Sequence, residues 1–110
     1  MDIDVSLAGD SLPINVENPH HMDTESVVGR IGEFLQERGV PHGDLALAEL
    51  LPKMVKGIAG CEGGCPANAQ SLVRKGFGKY HLEYIEGGIL TAKYEVSPGR
   101  SLEIKMFPDF

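Results

Sequence analysis

Apolar and polar positions alternate near both ends of the chain and recur at helical spacing through its middle. Near the N-terminus, two alternating runs flank the turn sequence Ala8-Gly9-Asp10-Ser11, a pattern typical of a β-hairpin. The apolar positions of these runs are Ile3, Val5, Leu7, Leu12, Ile14 and Val16. Pro13 has no N–H to donate, so we expect the second strand to lie at a sheet edge or to begin late.

The clearest helical pattern covers residues 24–38. Its apolar side chains lie on one stripe: Val27, Val28, Ile31, Phe34 and Leu35. Asp23 or Thr24 can cap the first turn, and Gly39 suits a left-handed C-terminal cap. Gly29 and Gly32 each cost a helix about 1 kcal/mol relative to alanine. We therefore expect another backbone to pass close to that side of the helix.

Two further helices are predicted before the pattern changes. Residues 45–58 are apolar almost all round, so this helix should be deeply buried, with Asp44 as its cap. Pro52 predicts either a kink or a break, with a new helix starting at the proline. A third helix is expected to begin at Pro66 and to end at residue 74 or 75, before Gly76.

From residue 80 onward, apolar residues alternate again and mark the inward sides of three strands. These residues are Tyr80, Leu82, Tyr84, Leu90, Ala92, Tyr94, Val96, Leu102, Ile104 and Met106. Tight loops at Gly87-Gly88 and at residues 97–100 favour antiparallel connections. The sequence therefore predicts one α+β domain over residues 1–110: an N-terminal β-hairpin, three helices and a C-terminal three-stranded antiparallel meander, in a two-layer sandwich.

Composition and charge narrow the class of protein. Apolar residues make up 42% and charged residues 24%, which is typical of a globular domain. The apolar runs are too short to cross a bilayer, and the first residues are acidic where a secretory signal is basic, so we expect a cytoplasmic protein without membrane contact. Residues 1–50 carry ten acids and two bases, whereas residues 51–110 carry eight bases and six acids. The two cysteines lie in the more basic half.

Cys61 and Cys65 are the strongest candidates for chemistry. If Pro66 is the first helical residue, Cys65 occupies the cap position, where unpaired N–H groups and the positive helix end favour a thiolate. Gly63 and Gly64 give the intervening loop the freedom to bring the two thiols together. The segment from Cys61 through Glu62 to Pro66 is therefore predicted to be a binding loop or a reversible, redox-active dithiol.

Metal binding is the second interpretation of the same segment. Cys-x-x-x-Cys-Pro resembles the last part of the cysteine pattern of bacterial ferredoxins. The two earlier ligands of that pattern would fall at Val55 and Ile58, which cannot bind iron. Two copies of the chain could supply four thiolates to an iron–sulfur cluster, and a zinc site could recruit His81 as a third ligand.

Three other interpretations stay open. The cysteines can be small buried packing residues without reactivity. The chain can be an interaction or homodimerisation module, with aromatic residues after Lys105 exposed near a sheet edge. Three helices followed by a hairpin also match the order of a winged-helix domain, with Gln70, Arg74 and Lys75 on the recognition helix. The net charge of −6 argues against nucleic acid. The sequence contains no recognisable set of catalytic residues, which favours a non-enzymatic protein.

Overall fold

Five strands form one antiparallel sheet in the computed structural model, which describes residues 1–18, 21–59, 66–85 and 88–107. The strands are β1 (Asp2–Leu7), β2 (Asp10–Asn15), β3 (His81–Ile85), β4 (Ile89–Ser97) and β5 (Arg100–Phe107). The helices are α1 (Thr24–Glu37), α2 (Leu47–Ala59) and α3 (Pro66–Lys75). The predicted α+β class, hairpin, three helices and meander are confirmed.

The strand order is β2-β1-β5-β4-β3, so the hairpin and the meander meet where β1 pairs with β5. β2 lies at an edge of the sheet, as predicted from the missing N–H of Pro13. That residue is opposite Asp4 of β1. The expectation that the aromatic residues after Lys105 lie near a sheet edge is wrong for Phe107, because β5 is the central strand; Phe110 lies outside the described residues. The two sides of β5 are taken by β1 and β4.

One layer of helices covers one face of the sheet. α1 contacts β2, α2 contacts β4 and β5, and α3 contacts β3. The alternating apolar residues predicted for the strands face this layer, and α2 closes the core with side chains that are at most 1% exposed: Leu50, Leu51, Met54 and Ile58. Burial of such side chains stabilises the fold by about 1.5–3 kcal/mol each.

The start of α2 differs from the prediction. Asp44 lies within a short 3-10 helix, Gly43–Leu45, and therefore does not cap α2. Ala46 then takes a left-handed conformation with φ +51°, and α2 begins at Leu47. α2 continues through Pro52 without a break, although a proline in a helix interior costs one N–H···O bond. Burial of the apolar α2 side chains on either side of the proline offsets that loss.

The two glycines of α1 have different surroundings. A Cβ on Gly32 would lie 3.2 Å from Nε2 of His42, whereas a Cβ on Gly29 would meet no described residue within 4 Å. At Gly32 the expected close approach is thus made by a side chain and not by a backbone. A larger residue there would displace the His42 ring.

We predict that Gly29→Ala raises the free energy of unfolding by about 1 kcal/mol, because alanine is the better helix former and the added methyl group has space. Gly32→Ala should gain less, since its Cβ competes with His42. Chemical denaturation of both variants measures the difference. In a His42→Ala background the two gains should become equal, and a larger gain at Gly32 in the wild-type background would contradict this account.

Tyr80 is a buried residue that carries a polar hydroxyl into the core. Its ring packs on Phe77 and Tyr94, with centroids 6.1 and 5.1 Å away, and its hydroxyl donates to the buried carbonyl oxygen of Leu45 at 2.8 Å. Burial, with a smaller contribution from Tyr94, raises the pKa of Tyr80 far above the ordinary tyrosine value of 10.0. The neutral phenol therefore ties the start of β3 to the segment before α2.

We predict two effects of Tyr80→Phe. At neutral pH it should cost about 1–2 kcal/mol, because the Leu45 carbonyl loses its donor. In the wild type, the unfolded state releases the phenol proton more readily than the folded state, so stability should fall as pH rises above about 10. Urea titrations from neutral to alkaline pH should show a shallower decline for the variant. An identical slope in both proteins would argue against a buried neutral phenol.

Candidate functional site

The predicted thiol segment falls between α2 and α3. Cys61, Glu62, Gly63, Gly64 and Cys65 lie outside the described residues, so their chemistry stays a prediction. Pro66 is the first residue of α3, as the sequence predicted. Cys65 therefore directly precedes a helix in the chain.

The two helices that flank this segment in the chain, α2 and α3, pack closely against each other. A Cβ on Gly57 would lie 3.4 Å from Cα of Ala69, near the end of α2 and the start of α3. Further away, Nζ of Lys53 lies 5.0 Å from the centroid of the Phe77 ring, just beyond the end of α3. The two contacts give α2 and α3 opposite directions. The end of α2 is thereby held beside the start of α3.

The same helix pair carries an unusual concentration of positive charge. The basic surface consists of five exposed cations on α2, on the last turn of α3 and in the turn that follows: Lys53, Lys56, Arg74, Lys75 and Lys79. Within the described part of the chain, none of the five forms an ion pair, whereas Arg38 and Lys93 each do. No described carboxylate therefore neutralises their charge.

His81 lies on the other side of the sheet from the helices. Leu82 points into the core, so His81 projects from the opposite face, here called the open face, where its side chain is 70% exposed. Its Nε2 is 3.0 Å from Oε1 of Glu83. The structure pairs His81 with a carboxylate rather than with a second described histidine, and its combination with the thiols stays a prediction.

An ion-pair network that sequence reasoning missed crosses the open face. Nζ of Lys93 on β4 lies 4.0 Å from Oε2 of Glu83 on β3 and 3.6 Å from Oε1 of Glu103 on β5. The hydroxyl of Ser6 on β1 donates to Oε2 of Glu103 at 3.5 Å. The alternation of charges along each strand was a signal for this network, but cross-strand register was needed to find the partners.

The other histidines do not complete a metal centre in the described ranges. His42 packs against Gly32, His21 lines a shallow groove between α1 and the end of β2, and His20 falls outside the described residues. In the parts of the chain that the structure describes, no three His, Cys, Asp or Glu side chains are grouped to hold a metal ion.

Comparisons with known proteins give no further assignment. No protein-family model, no curated protein and no solved structure matches the chain. Within the described residues, no helix combines the length and the apolar character needed to cross a membrane.

Thr91 lies beneath the network on the open face and gives a test of its packing. The residue is 1% exposed, and its Oγ1 has no hydrogen-bond partner among the described residues. An unpaired buried hydroxyl is costly, so Thr91→Val should raise the free energy of unfolding by about 1 kcal/mol. Thr91→Ser, which keeps the hydroxyl and loses the methyl group, is the matched control and should lower it. Thermal unfolding that ranks the serine variant above the valine variant would show that the hydroxyl is bonded.

Proposed function

We propose that the chain is a small cytoplasmic thiol protein in which Cys61 and Cys65 form a reversible dithiol between α2 and α3. The observation that carries the proposal is the start of α3 at Pro66. The first turn of a helix has N–H groups without intrahelical acceptors and a partial positive charge, and both favour an anion next to it. Cys65 has the position in sequence that benefits from this field.

The packing of the flanking helices supports convergence of the two thiols. Because Gly57 approaches Ala69 closely, residues 60–65 connect two helix ends that lie side by side. A disulfide requires Cα atoms about 4.4–6.8 Å apart, which a short connection of this kind readily permits. The glycine pair between the cysteines adds backbone freedom.

A dithiol requires fewer side chains to come together than a metal centre does. A structural zinc site uses four protein ligands, and His81 projects from the face of the sheet opposite α3. A dithiol needs only two sulfurs. One thiolate attacks a partner disulfide, which forms a mixed disulfide and releases one partner thiolate. The second thiolate of the chain then attacks its own sulfur in the mixed disulfide and releases the other partner thiolate. The chain gains one disulfide and the partner is reduced to two thiols. The zinc or iron–sulfur alternative remains the second form of this proposal, with four thiolates from two chains.

We predict that Cys65 reacts with iodoacetamide at pH 7 faster than free cysteine, which is only a few per cent thiolate at that pH. Mass spectrometry after alkylation, with protein purified anaerobically, measures the rate at each thiol. Cys61→Ser should keep the reactivity of Cys65 but lose the capacity to form an intramolecular disulfide with oxidised glutathione.

Metal analysis of the same anaerobic preparation separates the two forms of the proposal. Stoichiometric zinc or iron that is lost in Cys65→Ser would establish the metal-binding form. His81→Ala is the companion variant: a loss of metal would make His81 a ligand. Two unreactive thiols without bound metal would refute both forms and leave the cysteines as packing residues.

A second candidate function is self-association through the open face. Phe107 and Ile89 are half-buried at neighbouring register positions of β5 and β4, next to the Leu90–Met106 pair. Phe107 also lines a shallow groove with Asp2, Pro13 and Asn15. Apolar side chains of this kind, on a sheet face that no described helix covers, favour contact with another protein surface. Sedimentation velocity of the wild type and of Phe107→Ser tests it, and a monomer up to high micromolar concentration would exclude it.

A further inference from the structure

The basic surface on α2 and α3 includes a contact between a lysine and an aromatic ring. Nζ of Lys53 lies over the ring of Phe77, 5.0 Å from its centroid. In the chain, Lys75 comes two residues before Phe77 and Lys79 two residues after it. Lys79 lies in a tight turn that the Tyr80 N–H closes by donating to the Phe77 carbonyl oxygen at 3.0 Å. One cation therefore contacts the half-buried ring, and two more lie within two residues of it in sequence.

The basic surface extends from this contact along both helices. Lys56 is one turn further along α2, and Arg74 is in the last turn of α3. Glu62, outside the described residues, is the sole acidic residue between Lys53 and Lys79 in the sequence, and the nearest acid of α2 is Glu49, one turn before Lys53. Half-buried apolar side chains lie on the same elements: Leu72, Val73 and Phe77.

We propose that the basic surface docks an acidic polypeptide segment of a partner protein. Four of its five cations are lysines, which bind carboxylates as point charges on flexible stems and tolerate varied arrangements of the partner's acids. The half-buried apolar side chains give such a segment a place for its own apolar residues. Like charges on two packed helices and the turn after them repel each other where no described carboxylate pairs with them, and an anionic partner relieves that repulsion.

Other anionic occupants fit less well. Single-stranded nucleic acid binds by stacking bases on aromatic rings, but the Phe77 ring already contacts Lys53 and tilts against Tyr80. The rest of the chain is acidic and would repel a long polyanion, since the whole carries −6. On a second copy, the acids of α1 are interrupted by cations, because Arg30 and Arg38 line one groove with Glu33 and Glu37.

The proposal is independent of the thiol function and has a direct test. The probe is a fluorescent amphipathic peptide built only from glutamate and leucine, with glutamine in place of glutamate as its uncharged control, and oligothymidylate as the nucleic-acid arm. Fluorescence anisotropy should show binding of the acidic peptide alone. Raising the ionic strength from about 0.1 M to about 1 M shortens the Debye length from about 10 Å to about 3 Å, so affinity should fall about tenfold or more.

Charge-reversal variants locate the binding. Lys53→Glu/Lys79→Glu should weaken binding of the acidic peptide about tenfold or more. Arg30→Glu/Arg100→Glu makes the same change in net charge at two cations outside the five of the basic surface and should change the affinity by less than about twofold. Circular dichroism checks that both variants fold. If the first variant does not fold, Lys75→Gln/Lys79→Gln at the exposed end of α3 takes its place, with the same direction expected.

Three results would overturn the proposal. The first is an equal loss of affinity in both charge-reversal variants, which would show only a response to net charge. The second is binding of the glutamine peptide as tightly as the glutamate peptide. The third is tighter binding of oligothymidylate than of the acidic peptide, which would make nucleic acid the occupant. None of these results depends on Cys61 or Cys65, so the thiol function is tested separately.

Discussion

Pairing of the first strand with the last is the contact on which the rest of the structure depends. β1 and β5 align from Asp2 opposite Phe107 to Leu7 opposite Leu102. This pairing leaves β2 and β3 at opposite edges of the sheet, so the three helices must carry the chain from one edge to the other across a single face. The α2–α3 junction, with the cysteine segment and the basic surface, is positioned by that crossing.

Much of the fold could be predicted from the sequence, because burial of one face of a helix or strand sets which of its residues are apolar. The alternation in each strand and the stripe on α1 depend only on which side of an element meets the core. Strand order has no such effect on the sequence pattern. Leu102, Ile104 and Met106 alternate with polar residues as they would in an edge strand, and the sequence alone therefore did not place β5 at the centre. The alternation of apolar residues shows which face of a strand is buried, but it does not show which strands lie beside it.

The same distinction applies to the candidate site. Some of its features follow from single residues or short spacings, and others depend on contacts between distant parts of the chain. The start of α3 at Pro66 follows from proline's fixed φ and missing donor, both properties of one residue. The side of the sheet on which His81 lies relative to α3 depends on register and on helix packing. Its pairing with Glu83 could have been inferred from their spacing of two on a strand. The contact of His42 with Gly32 links a loop to a helix and had no local signal.

The central position of β5 has a consequence for biosynthesis. Translation proceeds from the N-terminus, so the hairpin of β1 and β2 is made long before residues 100–107 emerge to cover the free side of β1. A two-stranded hairpin alone is marginal in water. The nascent chain thus carries an unpaired strand edge until residues 100–107 are made, and folding that depends on so distant a partner is slow and vulnerable to aggregation. A chaperone that shields β1 during this interval would protect the step that completes the domain.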